Sequence, residues 1–542
     1  MTIKAATMQK DVYKEYHYKA YHPKVTEVYS NFTNRSGKYS NTGGDGVIFV
    51  GLQYFILDYL LDEWNQTFFT VTKSIAVGQH KRILSAMLGY TVDVFYLEKL
   101  HDLGYLPLEI KALPEGVLVP YNVPCFTIRN TLEGFQWLTN MIETVMSCEI
   151  WPMSTTATTS YHYMKNFKKY FEKAGAPMEL LPFMGHDFSF RGMFGRQAAG
   201  VSGFGHLTSG FAGTDTIPAV LFAEKYYNAN VDKELVGCSV DATEHSVTGS
   251  WIEEGEKEFF RELMTKHSPT GILSVVSDTW NFWKLVTEYL PEMKEEIMAR
   301  DGKLVIRPDS GDPVDILCGL RSATSEEFKN GKVCDAIFWN NKYYSIKKVC
   351  ALGLHNAFIS SILKNTTNNE LFFKDCVVEE GEVKGLVECL WDTFGGTLTD
   401  KGYKLLDSHI GAIYGDSITL NRQVEICERL IAKGFTPTVV LGIGSYTYQY
   451  VTRDTHGSAV KATNVIKGGK DLAIFKDPIT DPGKKSHKGL LRVEKEEGKY
   501  VVYDNQDRGQ ESTGELKPVF RDGVLLRVTS LEEIRQTVRQ YL

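Results

Sequence analysis

Five short apolar runs between residues 235 and 445 limit the fold of this chain more than any other feature of its sequence. Each run ends in polar or glycine-rich residues: LVGCSVDATEH, ILSVVSDTW, KLVIRPDSGDP, IGAIYGDS and TVVLGIGS. Several are followed by helical patterns, such as DTWNFWKLVTEYL and SITLNRQVEICERLIAKG. Near-continuous apolar strands that alternate with helices are typical of a parallel sheet buried on both faces. We therefore expect an α/β barrel, with an open doubly wound sheet as the alternative.

Either fold would gather the residues that follow its strands at one edge of the sheet, where α/β proteins carry out chemistry. In this sequence the polar and glycine residues at those positions are His245, Asp278, Arg307, Asp309, Asp416 and Gly444.

The length of 542 residues predicts two or three domains. We expect an α+β domain over 1–175, with apolar helical patterns at 47–62 and 132–148, short strands between these two, and a more polar helix at 155–173. The barrel is expected over 176–460. The remainder, 461–542, reads as short strands followed by a helix at 530–541, and we expect it to return to the first domain.

Composition restricts the partners and the compartment. The net charge of −7 argues against nucleic acid or an anionic membrane as the main partner. The first residues lack the apolar core of a signal peptide, and the longest apolar stretch is broken by Gln53 and Asp58. Nine scattered cysteines form no CxxC pair, which indicates a reducing, cytoplasmic setting without a zinc site or a disulfide framework.

Two motifs carry charge at the predicted strand ends. His245, in SVDATEHSVTGSW, is either a buried structural histidine or a group that handles charge in a reaction. In RPDSGDP, Arg307 could bind a phosphate through two hydrogen bonds, or could pair with Asp309 to brace the barrel mouth.

A glycine-rich turn and three cations follow further along the chain. The turn GIGSY, Gly442 to Tyr446, would let backbone N–H groups approach an anion. Arg453, Lys461 and Lys476 could add positive charge, although each taken singly is more typical of solvated surface.

Taken together, the motifs resemble the nicotinamide phosphoribosyltransferases. The matching segments, in order, are DVYKEYHYKAYHPKVTEVYS, GLQYFIL, LPLEIKALPEGVLVP, WLTNMIET, HDFSFRG, GTDT, ATEHS, SVVSD, IRPDSG, GYKLL, VTRD and FKDPITDP. The resemblance implies a type II phosphoribosyltransferase barrel with a second α+β domain built from both chain ends. It also implies a homodimer that makes nicotinamide mononucleotide from nicotinamide and phosphoribosyl pyrophosphate in NAD salvage. Mg²⁺ is expected to neutralise the leaving pyrophosphate, and ATP is expected to phosphorylate a histidine.

The same resemblance implies roles for individual residues. His245 corresponds to the phosphorylated histidine, with Asp278 to orient its ring and Glu244 and Asp309 as further catalytic groups. Phe188 and Tyr13 of the partner subunit would enclose the nicotinamide ring. Asp215 would accept a hydrogen bond from its carboxamide. The other implied substrate-binding residues are Arg191, Ser239, Ser274, Arg307, Gly415, Asp416 and Gly444, and the polyphosphate-binding residues are Arg35, Arg453, Lys461 and Lys476.

The sequence departs from the family pattern in two places. Ser445 and Tyr446 stand where the family has further glycines, so we expect phosphate binding at this turn to differ from the family pattern. Residues of about 314–384 look inserted, and their aromatics and helical pattern predict a folded segment. This segment could be a lid on the site, a dimer contact or a peripheral decoration.

Three other functions compete with this interpretation. A nicotinate phosphoribosyltransferase would share the fold and the reaction, but Asp215 would repel the carboxylate of nicotinate. A non-catalytic binding protein would be expected to lack the charged strand-end groups. A barrel hydrolase that uses Asp309 and Asp416 would leave His245 without a role.

Overall fold

The computed structural model describes residues 5–44, 46–364, 366–415, 417–480 and 485–542, with the backbone alone for 367–371. Its strands are β1 Val25–Asn34, β2 Gly46–Ile48, β3 Leu108–Ala112, β4 Leu118–Pro120, β5 Pro124–Asn130, β6 Gly185–Asp187, β7 Gly213–Thr214, β8 Asp241–Ala242, β9 Thr270–Val276, β10 Asp301–Arg307, β11 Ser322–Thr324, β12 Ala336–Trp339, β13 Lys342–Ser345, β14 Val377–Val378, β15 Gly396–Leu398, β16 Lys404–Leu406, β17 Ile410–Tyr414, β18 Val440–Ile443, β19 Ser458–Lys467, β20 Lys470–Ala473, β21 Leu490–Glu496, β22 Lys499–Gln506, β23 Lys517–Arg521 and β24 Val524–Leu525.

The helices connect these strands and cover the sheets. The α-helices are α1 His17–Ala20, α2 Leu52–Phe55, α3 Lys73–Leu88, α4 Phe95–Leu103, α5 Leu138–Met141, α6 Glu143–Ala174, α7 Arg196–Thr208, α8 Ile217–Tyr227, α9 His245–Gly249, α10 Glu256–Glu262, α11 Phe282–Lys284, α12 Leu290–Glu292, α13 Lys294–Ala299, α14 Pro313–Cys318, α15 Ser325–Lys329, α16 Ile346–Ala351, α17 His355–Lys364, α18 Glu380–Lys384, α19 Leu386–Phe394, α20 Leu420–Ala432, α21 Ser445–Tyr448, α22 Arg508–Glu511 and α23 Leu531–Arg539. Four π-helical segments continue α2, α10 and α11: Ile56–Glu63 and Asn65–Phe69 after α2, Leu263–His267 after α10, and Leu285–Tyr289 after α11. Short 3₁₀ segments are Ala6–Met8, Val12–Tyr16, Met178–Phe183, Phe190–Gly192, Glu253–Gly255, Thr367–Cys376 and Arg453–Thr455.

The expected α/β barrel is confirmed. Its seven strands are all parallel and lie in the order β7-β6-β18-β17-β10-β9-β8. The two edges meet at a bridge between Gly213 and Cys238: the Cys238 N–H donates to Ala212 O at 2.7 Å, and the Thr214 N–H donates to Cys238 O at 2.9 Å. This closure directs the carboxyl ends of all seven strands to one mouth.

The second domain is built from both chain ends, as expected. Its antiparallel sheet has the order β20-β19-β1-β5-β3-β23-β24, so strands from the C-terminal part flank those from the N-terminal part. The final helix begins at Leu531, where the Ser530 and Glu533 side chains form a reciprocal cap with the backbone.

Helix α6 differs from the prediction because it is one continuous helix of 32 residues with Pro152 inside it. Its polar half is buried, since hydroxyl groups bond to backbone there: the Ser154 hydroxyl donates to Val50 O, and Thr158 Oγ1 accepts from the Ile48 N–H. Its first turns pack in the core of the α+β domain, and its last turns pack in the barrel core. The helix therefore joins the two domains, and the expected boundary at 175 falls at its C-terminal end.

Two other helices begin later than their sequence patterns predict. The pattern at 47–62 begins as strand β2, and the helix starts only at Leu52, after Gly51 adopts φ 104°. The pattern at 132–148 becomes helical at Leu138. No helix among the described residues combines the length and the apolar character needed to cross a membrane.

The inserted segment folds as expected, but it lies away from the mouth. Strands β11 to β14 form a separate sheet with its own apolar core. The chain enters and leaves this module side by side, because the Leu320 N–H donates to Val383 O at 3.1 Å.

The module is anchored at the last turn of α20, where Arg429 contacts Asp335 at 3.5 Å and Asp315 at 3.2 Å. Helix α20 runs from the carboxyl end of β17 back towards the amino end of β18. Its last turn therefore lies on the side opposite the mouth, and this anchoring does not support the lid hypothesis.

Candidate active site

Strand ends place the charged residues of the sequence motifs around the barrel mouth. His245 follows β8, Asp278 follows β9, Arg307 ends β10, and Asp215 follows β7. Asp416, which was expected at the end of β17, lies outside the described residues.

One ring nitrogen of His245 faces two carboxylates, and the other ring nitrogen faces a hydroxyl group. Its Nε2 lies 3.7 Å from Asp278 Oδ1 and 3.8 Å from Asp309 Oδ2, and its Nδ1 lies 3.1 Å from Thr279 Oγ1. The imidazole side chain is 49% exposed, so it is open to a ligand and does not have the burial of a core histidine. Carboxylates on Nε2 favour a proton there, which leaves Nδ1 as the nucleophilic nitrogen.

Asp278 is nearly buried, with 5% of its side chain exposed. Its Oδ2 accepts hydrogen bonds from the Asp309 N–H at 2.9 Å and from the Ser310 hydroxyl at 2.6 Å. Its Oδ1 has no hydrogen bond from the described residues. One carboxylate therefore fixes the loop after β10 through Oδ2 and places its buried Oδ1 near His245.

Arg307 lies among three carboxylates. Burial lowers the pKa of its guanidinium, and the charges of Asp309, Asp215 and Asp278 oppose that shift. Its Nη2 donates to Thr243 O, and its buried Nε has no partner in the described part of the chain. A partly buried arginine that is held through Nη2 at the mouth is suited to bind a phosphate or a hydroxyl.

Asp215 lies near Arg307 at the same end of the barrel, and the charge of each shifts the pKa of the other. The Asp215 Oδ1 accepts from Ser239 Oγ at 2.6 Å and from His186 Nε2 at 2.9 Å. Burial raises the pKa of Asp215, but the hydrogen bonds from His186 and Ser239 outweigh it and hold the pKa below its usual value. Asp215 is therefore an anion at neutral pH. The ring of Phe188 stacks on His186 with a centroid distance of 4.4 Å, next to this carboxylate.

Two glycines permit the close packing of the mouth. A Cβ atom at Gly442 would lie 2.5 Å from Gly415 O and 2.8 Å from the ring of Phe188. A Cβ atom at Gly415 would lie 2.6 Å from Asp309 Oδ1. Gly444 follows β18 and precedes α21, whose first residues, Ser445 and Tyr446, stand where the family pattern has glycines.

Three other residues were expected at the barrel site: Glu244, Ser274 and Arg191. Glu244 accepts a hydrogen bond from the Ser246 hydroxyl and is exposed. Ser274 is buried in β9, where its hydroxyl has no partner among the described residues. Arg191 is exposed in the 3₁₀ turn after β6.

The four expected polyphosphate-binding residues lie together in the α+β domain. Burial lowers the pKa of Lys461; Glu143 opposes this shift, and the charges of Arg35, Lys476 and Arg453 add to it. Arg35 is fixed by a 3.0 Å hydrogen bond from its Nε to Gly457 O. A groove of about 900 Å³ lies here, lined by Asn31, Thr33, Arg35, Ser36, Lys38, Tyr39, Asn122, Asp454, Gly457, Ala459, Lys461, Lys485, Ser486, His487 and Asp504.

Tyr13 also belongs to the α+β domain. It is 61% exposed and contacts His17 edge to face at 5.3 Å. Its ring contacts lie in its own segment, and none is made with Phe188 in the described residues.

Three residues near the reacting groups were not predicted: His186, Thr279 and Ser310. His186 opens the HDFSFRG motif two positions before Phe188, and Thr279 directly follows Asp278, the aspartate of SVVSD. Their partners come from other strands, and the sequence gives no signal for those contacts.

The fold and this set of strand-end groups define a phosphoribosyltransferase-type barrel, and comparison with known proteins specifies the family. The model of the nicotinate phosphoribosyltransferase (NAPRTase) family matches residues 183–523. The chain belongs to this family.

Among similar proteins, one named nicotinamide phosphoribosyltransferase from Acinetobacter baylyi is 44% identical over 98% of this chain and 96% of its own. Another of that name from Xanthomonas campestris pv. campestris is 28% identical over 97% and 96%. A solved structure, nicotinate-nucleotide pyrophosphorylase from Pyrococcus furiosus, is similar with a TM-score of 0.49 and 14% identity over 100% of this chain and 96% of that one.

Proposed function

We propose that the barrel mouth transfers a phosphoribosyl group from phosphoribosyl pyrophosphate to nicotinamide, giving nicotinamide mononucleotide and pyrophosphate for NAD salvage. The observation that carries this proposal is the ionised Asp215, which lies near Arg307 and is bonded to the histidine that stacks on Phe188. Homology supports it, because relatives at 44% and 28% identity bear the name of this activity.

Base recognition follows from charge. The carboxamide of nicotinamide donates N–H bonds, and Asp215 accepts them through Oδ2, while Phe188 packs against the pyridine ring. The carboxylate of nicotinate is repelled by the same group.

Phosphoribosyl transfer needs the ring nitrogen of the base held against C1 of the ribose while pyrophosphate leaves. Arg307 and Arg191 bind the ribose phosphate, Asp309 and Asp416 hold ribose hydroxyls, and Gly415 and Gly444 let the backbone approach. Ser239 and Ser274 complete the polar lining of the pocket. Holding the two reactants in this geometry supplies most of the catalysis.

ATP acts as a co-substrate by phosphorylating His245. The Asp278 carboxylate keeps the proton on Nε2, so that Nδ1 attacks the γ-phosphorus and ADP leaves. Asp309 adds negative charge on the Nε2 side, and Glu244 assists from the preceding position.

Magnesium fits this site as an ion carried by the substrate. No group of three His, Cys, Asp or Glu side chains suited to a metal occurs among the described residues. The exposed carboxylate of Asp309 is the group that would meet such an ion, and Mg²⁺ commonly binds one or two carboxylates plus substrate phosphates. When bound, it neutralises the leaving pyrophosphate.

The working enzyme is a homodimer with shared sites. Tyr13 is exposed, and the basic groove around Arg35 and Lys461 lies on the sheet of the α+β domain. We propose that these groups complete the barrel mouth of the partner subunit, with Arg453 and Lys476 on the same polyphosphate. A cytoplasmic location agrees with nine free cysteines.

The direct test is incubation with phosphoribosyl pyrophosphate, Mg²⁺ and either base, with the product mass measured. Wild type is expected to convert nicotinamide, and Asp215→Asn is expected to lose about 1–3 kcal/mol of preference for it. Equal use of both bases by the wild type would favour the alternative, a nicotinate phosphoribosyltransferase, the activity for which the matching family is named.

Shared sites are tested by mixing inactive Tyr13→Ala and His245→Ala proteins. Heterodimers contain one site without either mutation, so a fraction of activity is expected to return. Absence of recovery after verified subunit exchange would contradict shared sites.

A further inference from the structure

His186 makes two contacts that link the recognition groups of the base pocket. Its Nε2 lies 2.9 Å from Asp215 Oδ1, and its ring stacks on Phe188 at a centroid distance of 4.4 Å and an angle of 29°. Because an ionised carboxylate only accepts hydrogen bonds, Nε2 carries the proton. One side chain therefore holds both the carboxylate and the aromatic wall.

The two donors to Asp215 converge on a single oxygen. His186 and Ser239 both donate to Oδ1, and no hydrogen bond from the described residues reaches Oδ2. This arrangement fixes the plane of the carboxylate and leaves the lone pairs of Oδ2 for a ligand. A carboxylate held by only one donor could rotate and would lose that orientation.

The neighbouring strands leave space for the imidazole. His186 on β6 pairs with Gly213 on β7 and with Gly442 on β18. A Cβ atom at Gly213 would lie 2.8 Å from His186 Nδ1, which is too close without a shift of the ring. The position of the imidazole therefore depends on glycine at that position of the neighbouring strand.

We propose that His186 is the positioning residue for base selectivity: it fixes the Asp215 carboxylate and the Phe188 ring as one unit that accepts a carboxamide and rejects a carboxylate. This inference rests on the proposed function, in which Asp215 recognises the base. His186 itself need not touch the substrate, because it acts through Asp215 and Phe188.

Two substitutions separate its two contacts. His186→Phe keeps an aromatic ring against Phe188 and removes the donor to Asp215. His186→Gln keeps an N–H donor at about the position of Nε2 and removes the ring. The measured quantity is the ratio of kcat/KM for nicotinamide to kcat/KM for nicotinate, with KM and kcat resolved separately for nicotinamide.

We expect His186→Phe to lower this ratio by about tenfold or more, mainly through a higher KM for nicotinamide, since a charge-assisted hydrogen bond is lost. His186→Gln should retain most of the ratio. Gly213→Ala, which deletes no polar group, should lower the ratio in the same direction by displacing the ring. The matched control is His267→Phe, at an exposed histidine that precedes β9 on the opposite side of the barrel.

The outcomes distinguish this inference from the proposed function. A wild type that uses both bases equally overturns the role of Asp215 and that of His186 with it. A selective wild type whose His186→Phe variant stays folded and equally selective overturns the His186 inference alone. Equal losses with both bases would show a merely structural histidine and would also overturn it.

Discussion

Asp278 gives the sharpest test of the catalytic geometry, because its two oxygens have separate roles. Oδ2 accepts from the Asp309 N–H and the Ser310 hydroxyl, and Oδ1 lies 3.7 Å from His245 Nε2. Asp278→Ala removes both roles. The two donors are exposed and can turn to water, so each lost hydrogen bond should cost about 1 kcal/mol, and unfolding should require about 2 kcal/mol less.

Asp278→Asn separates the two roles. Its amide oxygen can still accept from the loop, so the free energy of unfolding should change little. Its NH₂ group then faces His245 and donates to Nε2, which places the imidazole proton on Nδ1 and blocks the nucleophile. Loss of the carboxylate charge 3.7 Å from Nε2 should lower ATP-stimulated synthesis by roughly tenfold to a hundredfold.

The assay measures nicotinamide mononucleotide formation with and without ATP, together with transfer of labelled γ-phosphate to the protein. Ser310→Ala is the matched control, since it removes one donor and keeps the charge of Asp278. It should lower stability by about 1 kcal/mol and retain ATP stimulation. Full ATP stimulation in a folded Asp278→Asn protein would refute the proposed orientation of His245.

Three further predictions concern the base pocket, the mouth and the inserted module. The pKa of Asp215 is held below its usual value, so the group stays ionised. The ratio of kcat/KM for nicotinamide to kcat/KM for nicotinate should therefore be constant from pH 8 to about pH 5 and fall only at lower pH. A fall in this ratio centred near pH 6 would contradict the assignment. Gly442→Ala should raise the KM for nicotinamide and lower the free energy of unfolding by about 1–3 kcal/mol, since its Cβ would meet Gly415 O and Phe188. Gly78→Ala is the control, because its Cβ would meet open space, and it should change neither the KM nor the thermal unfolding. Replacing residues 321–382 by a short Gly/Ser linker should leave the KM for phosphoribosyl pyrophosphate unchanged, because Leu320 and Val383 already adjoin; a raised KM in a folded dimer would restore the lid hypothesis.

Much of the fold is encoded locally and could be predicted. Apolar runs that end in polar residues specify buried parallel strands, and the carboxyl ends of such strands meet wherever the sheet closes. That rule was sufficient to select His245, Asp278, Arg307 and Asp309 before any tertiary contact was known, and the structure brings these four residues together.

Some local patterns were misleading because burial depends on partners elsewhere. The hydroxyl-rich half of α6 reads as a polar helix, yet it is buried because Ser154 and Thr158 bond to backbone at residues 48 and 50. The inserted segment begins just after RPDSGDP, which ends at the mouth. Helix α14 then runs away from the mouth before the first strand of the module begins.

Contacts between distant segments were decided by the tertiary structure alone. The basic groove exists because β1 pairs with β19, which sets Asn31 opposite Lys461. The bond from His186 to Asp215 exists because β6 lies beside β7, and the convergence of Ser239 on the same oxygen depends on the Gly213–Cys238 bridge that closes the barrel. Sequence periodicity reports which face of a strand is buried, but it holds no information about which strand lies beside it. The sequence alone therefore determined which groups reach the mouth, and only the packing of the sheet decided which of those groups touch.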